Sequence, residues 1–266
     1  MVMNGKKIAE GILENLKKSE KLKGFLAVFF VGEDKASESF VKQKENIAKE
    51  LGVDFRLYKF PENITQDDLR KEVVKIAEHK TCGGAIVQLP LPPHINRQYI
   101  LNVIPREKDV DVLGERALGA FYAGRNPVLP PAVGVVEEIL KSENFELRLK
   151  KVAVVGLGFL VGKPISVWLK GKCAEIYLLD IGSNLSILKN ADLVILGTGQ
   201  AGLVKPEMLK DGAIVIDFGY SAVNIKVSGD LDSASVPDSI LYTPTPGGTG
   251  PILVAKLFEN FFELNK

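Results

Sequence analysis

The chain has 266 residues, long enough for one large α/β domain or two ordinary ones, and 46% apolar with 25% charged residues is the composition of a folded globular protein rather than a disordered one. Its 34 basic and 33 acidic residues leave a net charge of +1, which excludes a broad electrostatic footprint for nucleic acid or an anionic membrane, so any bound anion must be held locally. No apolar run approaches the ~20 residues of a membrane span.

In chain order, Asn4 is placed to cap a first helix carrying Ile8, Ile12, Leu13 and Leu16 at helical spacing. Residues 25–31 (FLAVFFV) predict a buried strand, 36–51 a helix burying Phe40, Val41, Ile47 and Leu51, and 53–60 a second strand after Gly52. Thr65 with Asp68 reads as an N-cap and its partner, opening a helix with Leu69, Val73, Val74, Ile76 and Ala77. Residues 83–89 predict a third strand, 97–104 a helical segment, and 126–132 (NPVLPPA) a domain boundary. Beyond it come a helix at 131–140 and buried strands at 151–155, 175–179, 191–196 and 213–216. A glycine–proline loop at 241–251 precedes a last helix at 252–264. Strands alternating with helices predict βαβ units and parallel sheets.

The most informative stretch is 154–164, VVGLGFLVGKP. Gly156, Gly158 and Gly162 follow an apolar strand at G-x-G-x-x-x-G spacing, one residue longer than the usual dinucleotide fingerprint. The expected consequences are a tight turn, bare backbone beside a pyrophosphate, and helix N–H groups aimed at the anion. Asp180 ends the next strand about 24 residues after Gly156. A carboxylate there accepts from a ribose 2′-hydroxyl and repels a 2′-phosphate, so the expected cofactor is NAD, with NADP disfavoured. Thr198–Gly199 and 217–219 follow later strand ends, where open α/β sheets place ligands.

Cys82 and Cys173 lack CxxC spacing and read as reduced thiols of a cytosolic protein. The amphipathic N-terminus carries too many charges for a signal peptide. His79 and His94 stand apart from other ligand types, so neither a metal site nor a histidine-based triad is expected.

Three polar residues stand out in the first half. Lys44 shares a helix face with Phe40, Gln88 interrupts an apolar strand end, and Asp109 and Asp111 flank Val110, pointing the same way if the segment is extended. Each has a bland alternative as a surface lysine, a strand cap or a turn residue.

Seven ordered blocks carry a further likeness: 31–44 (VGEDKASESFVKQK), 83–95 (GGAIVQLPLPPHI), 105–111 (PREKDVD), 154–164, 213–219 (AIVIDFG), 229–232 (GDLD) and 243–251 (TPTPGGTGP). Over essentially its whole length the chain resembles the bifunctional methylenetetrahydrofolate dehydrogenase/methenyltetrahydrofolate cyclohydrolase family. The resemblance implies an α/β protein of two domains. These are an N-terminal catalytic domain, 1–125 plus 246–266, and a Rossmann-like dinucleotide-binding domain, 126–245, with the C-terminal helix returning to the first. It implies a folate site in the cleft between them, tetrahydrofolate derivatives as substrates and a homodimer in the cytoplasm. Lys44 matches the family's catalytic lysine, Gln88 the glutamine bonded to it and Asp111 the aspartate gripping the pterin. Phe40, Val87 and Leu89 would face the ring, and Pro246, Gly247, Gly248, Thr249 and Gly250 match the loop along the folate.

The chain departs from the family at several positions. Phe40 replaces a tyrosine, so the ring face is kept and the hydroxyl lost, which bears most on the water-adding cyclohydrolase step. Gly156–Leu157–Gly158 replaces glycine–arginine–serine, and Asp180–Ile181 replaces histidine–serine, both changes favouring NAD. Val112 replaces a glycine, 132–135 (AVGV) replaces threonine–proline–lysine–glycine, and Tyr220 stands where an isoleucine commonly lies near the cofactor. The alternatives to a bifunctional enzyme are a monofunctional NAD-dependent dehydrogenase and a non-catalytic folate- or dinucleotide-binding protein.

Overall fold

Every residue of Phe25–Val31 is buried, the mark of a central strand covered on both faces. In the computed structural model, which describes residues 1–20, 22–223 and 226–266, this strand (β1) is flanked in parallel by β2 (Asp54–Phe60) and β3 (Cys82–Val87). The helices of this part are α1 (Gly5–Lys17), α2 (Lys35–Leu51), α3 (Gln66–Ala77), α4 (Arg97–Leu101) and α5 (Glu115–Tyr122). Asn4 accepts from the Lys7 N–H as an N-cap does, and Thr65 accepts from the Asp68 N–H. Gly52 ends α2 with φ 69°, the left-handed conformation glycine adopts without penalty.

A second, five-stranded parallel sheet has the order β10-β7-β6-β4-β5. Its strands are β4 (Lys151–Val155), β5 (Glu175–Leu179), β6 (Leu193–Leu196), β7 (Ile214–Asp217) and β10 (Leu241–Tyr242), with α6 (Pro131–Ser142) and α7 (Gly162–Leu169) alongside them in sequence. A core of Ala153, Val155, Leu188, Val194, Leu196 and Val215, among others, packs against it. A hairpin of β8 (Ser221–Val223) and β9 (Lys226–Ser228) stands apart, and α8 (Thr249–Leu264) closes the chain.

The chain forms two compact units, Met1–Glu10 with Ala132–Leu253 and Gly11–Pro131 with Val254–Lys266. Residues 1–10 and 246–253 therefore fall with the five-stranded sheet rather than with 11–131. The reason is local: Val2 bridges to Tyr242, and Gly5 packs so closely on Gly248 that any Cβ would overlap its carbonyl.

Several elements differ from the sequence reading. The segment at 97–104 stops as a helix at Leu101, because the Val103 and Ile104 N–H groups reach back only three residues. The last helix begins at Thr249 rather than 252, and α6 runs on to Ser142. Helix α5 and the β8–β9 hairpin were not expected: α5 is eight residues with Gly119 inside it, and the hairpin strands are three residues each.

Candidate active site

Helix α2 is fixed at both ends, by Asp34 accepting from the Ser37 N–H (2.7 Å) and by Gly52. It presents Phe40 and Lys44 one turn apart on one face. Just past β3, the Gln88 N–H continues the ladder to Phe29 O (2.9 Å), and its side chain meets the lysine: Lys44 Nζ donates to Gln88 Oε1 at 2.9 Å. Both residues are buried, at 7% and 9% exposure. Gln88 Nε2 donates to Leu89 O (2.8 Å), which orients the amide so that its oxygen faces the amine.

A neutral amide does little to stabilise a buried ammonium ion. Burial lowers the Lys44 pKa, opposed by the charge of Asp111, and burial raises the Asp111 pKa, opposed by Lys44. Burial thus works against the charged form of each group, and each opposes that effect on the other.

Asp109 and Asp111 would share one side if their segment were extended throughout, the alternative being a turn. Asp109 instead forms an isolated parallel bridge with Ala85 and the chain turns at 110–111, with the Val110 N–H bonded to Lys108 O and the Val112 N–H to Asp109 O. Asp109 serves the backbone, accepting from Leu113 N (3.0 Å) and Gly114 N (2.8 Å) at the start of α5. Asp111 is the carboxylate that acts on Lys44. Val112 has φ 56°, a left-handed conformation that a β-branched residue seldom adopts. This gives the glycine-to-valine departure a physical account: the backbone keeps the conformation glycine favours. The valine side chain, fully buried with Ala117 and Val128, offsets the strain by packing. Asn260, which the sequence reading passed over, reaches from α8 to donate to Val110 O (2.9 Å) and Leu129 O (2.8 Å). The signal available was an amide next to Glu259, between Phe258 and Phe261 of a largely apolar helix.

Phe40 and Leu89 are half-buried, and the chain turns through a cis Leu89–Pro90 peptide. Val87 is only 2% exposed, so of the two apolar residues expected to face a ring, Leu89 is the one with surface to offer.

In the other unit, Gly156 follows β4 with φ 88°, and a Cβ there would lie 2.6 Å from Gly197 O. A Cβ on Gly162 would overlap Gly156 O, whereas one on Gly158 meets open space. Two of the three glycines are thus demanded by backbone packing, and the third leaves room for a ligand, which fits a dinucleotide. The helix end offers fewer donors than expected, because the Lys163 N–H is bonded to Gly158 O (3.0 Å) and Pro164 has none. Leu157 beside them is half-buried. Asp180 is exposed directly after β5, its Oδ1 accepting from the Ile181 N–H (3.0 Å). The neighbouring Gly156 N–H bonds to Leu179 O, which brings the glycine turn and the end of β5 together. Thr198 and Gly199 follow β6, and Tyr220, 43% exposed, follows β7. Pro246 is exposed, Gly247 has φ 98°, Gly248 and Thr249 are buried, and Gly250 lies in the first turn of α8. Among the described residues no group of three or more His, Cys, Asp or Glu side chains is placed to hold a metal.

Family models describing the tetrahydrofolate dehydrogenase/cyclohydrolase catalytic domain and NAD(P)-binding domain match residues 3–111 and 130–266. The chain belongs to the tetrahydrofolate dehydrogenase/cyclohydrolase family. It is 36% identical over 272 residues to the bifunctional protein FolD of Nautilia profundicola, covering 97% of this chain and 95% of that one. The crystal structure of the bifunctional FolD enzyme from Campylobacter jejuni superposes with a TM-score of 0.94 at 33% identity, covering 100% of this chain and 98% of the other. A Trypanosoma brucei FolD complexed with NADP and an inhibitor gives 0.93 at 29% identity, covering 99% and 96%. As a tetrahydrofolate dehydrogenase/cyclohydrolase family member the chain has an NAD(P)-binding domain and a catalytic domain, and the buried Lys44–Gln88 pair lies within the latter.

The burial that sets this site has a measurable consequence at Asp109, whose carboxyl is pushed up to about 7 by desolvation despite its backbone donors. The unfolded value is about 3.9, so the folded chain binds the extra proton between these limits. The group's contribution to stability is therefore present at low pH and lost as pH rises through 7. Denaturant titrations are expected to show the wild type losing roughly 2–3 kcal/mol more than Asp109→Asn between pH 5 and 8. Parallel pH slopes for the two proteins would contradict the assignment.

Proposed function

We propose that this chain oxidises 5,10-methylenetetrahydrofolate to 5,10-methenyltetrahydrofolate with NAD in preference to NADP, and hydrolyses the product to 10-formyltetrahydrofolate. The observation that carries the reading is the buried Lys44 amine, hydrogen-bonded by Gln88 and opposed by Asp111. The nicotinamide, when bound, accepts the hydride that leaves the folate's bridging carbon with its electron pair.

Lys44, its pKa lowered by burial, gives up its proton more readily than a solvated lysine. Beside a cationic methenyl group it takes one proton from the water that adds to the bridging carbon, and returns it to N5 as the carbon–N5 bond breaks; the remaining hydroxyl proton passes to solvent as the formyl C=O forms. Gln88 holds the amine in place without adding charge. Asp111 accepts from pterin N–H groups, and its clamped turn fixes the ring against Phe40 and Leu89. Residues 246–250 offer bare backbone to the folate. We further place the protein in the cytoplasm as a homodimer, as its resemblance implies.

Cofactor choice rests on Asp180, aided by Leu157 where an arginine would grip a 2′-phosphate. An exposed carboxylate accepts from a 2′-hydroxyl and repels a phosphate dianion. Gly156, Gly158 and Gly162 shape the turn, and Thr198, Gly199 and Tyr220 complete the contacts.

Two assays test this reading. Lys44→Met is expected to slow methenyltetrahydrofolate hydrolysis by about 10²–10⁴-fold, and unchanged turnover would leave the amine without a catalytic role. In the dehydrogenase direction, kcat/KM for NAD is expected to exceed that for NADP by about tenfold or more, with Asp180→Ser narrowing the ratio. A preference for NADP in the wild type would refute the cofactor assignment.

A further inference from the structure

Two of the sequence blocks, 216–219 (IDFG) and 229–232 (GDLD), play no part in the chemistry above, yet they interlock. Asp217, at the end of β7 and 2% exposed, accepts from Gly219 N through Oδ1 (2.7 Å) and from Leu231 N through Oδ2 (2.9 Å). Asp230, fully buried, accepts through one oxygen, Oδ2, from both Thr198 N (2.6 Å) and Gly199 N (3.3 Å). Each carboxylate occupies space that a glycine of the other block leaves open. A Cβ on Gly219 would overlap the Asp230 carboxylate, and one on Gly229 would overlap that of Asp217.

The second oxygen of Asp230, Oδ1, is buried without a hydrogen-bond partner among the described residues. An unpartnered buried carboxylate oxygen is destabilising, while the other oxygen satisfies two loop N–H groups that have no ladder to join. What the carboxylate supplies is geometry at the C-terminal end of β6. It ties down both N–H groups of the Thr198–Gly199 turn, while Ser221 Oγ holds Gly199 O (2.6 Å). The bonds from Gly202 N to Gly229 O and from Val204 N to Asp230 O continue the same seam.

We propose that Asp230 is a positioning residue for the dinucleotide, fixing the Thr198–Gly199 peptide planes so that this turn meets the cofactor in one conformation. The proposal rests on the reading that Thr198 and Gly199 contact the cofactor. Asp217 does the same for Gly219, and through it for the residue that follows, Tyr220.

The test is steady-state dehydrogenase kinetics on the full chain, with NAD and methylenetetrahydrofolate varied in turn, alongside thermal midpoints. Asp230→Ala frees both N–H groups and is expected to raise the KM for NAD by about tenfold or more, leaving the folate KM within about twofold. Asp230→Asn keeps an oxygen for the Thr198 N–H and is expected to recover most of that loss, to about two- to fourfold above wild type. Should the alanine variant not fold, the asparagine variant decides alone. An unchanged KM for NAD, or equal rises in both KM values, overturns the proposal. A wild-type chain saturated by neither NAD nor NADP would instead remove the cofactor reading, and this inference with it.

Discussion

The catalytic unit is organised by the burial of one amine. Lys44 Nζ sits 2.9 Å from an amide oxygen in a buried side chain, and the charge that acts on it comes from Asp111. Such an arrangement holds only if the groups around it cannot drift, because a small displacement would either hydrate the amine or turn the carboxylate away. The surrounding structure supplies that restraint. Capped helix α2 carries the lysine, the extension of β3 carries the glutamine, and the Asp111 turn is held by the Asp109 carboxylate on one side and the Asn260 amide on the other.

The five-stranded unit uses the same device. Carboxylates accept from backbone N–H groups at strand ends: Asp192 from Lys151 at the start of β4, and, beyond the C-terminal ends of β7 and β6, Asp217 from Gly219 and Leu231 and Asp230 from Thr198 and Gly199. Loops at the C-terminal ends of parallel strands have no ladder to join, so their donors need such partners. Burial raises the carboxyl of Asp217 to about 6, which measures how far its surroundings resist the charge. Asp180 differs by being exposed at the end of β5.

Most of this was legible in the sequence because strong local signals agreed. Phe25–Val31 and Lys151–Val155 are apolar runs bounded by turn residues, and the structure forms strands over those residues. Lys44 and Gln88, 44 residues apart, meet as the resemblance implied. The 109–111 segment stayed open between extended and turn because two aspartates around a valine fit either, and the short helical turn of Arg106–Lys108 bends the chain just before them. Helix α5 was hidden by glycines at 114 and 119, and its start depends on the Asp109 carboxylate, a contact no local pattern reveals. Asn260 and Asp230 were missed for a related reason: their partners are backbone atoms distant in sequence, and a polar residue's local neighbours do not say which carbonyl or N–H it will meet.

The account depends most directly on the Lys44 amine being displaced from its ordinary protonation range by burial, with Asp111 resisting that displacement. Heteronuclear NMR titration of lysine Nζ groups measures this. The resonance lost in Lys44→Met is expected to titrate below 10.5, and lower still in Asp111→Asn, because removing the nearby negative charge leaves desolvation unopposed. An amine that titrates at or above the ordinary lysine value, and is indifferent to Asp111→Asn, would contradict it.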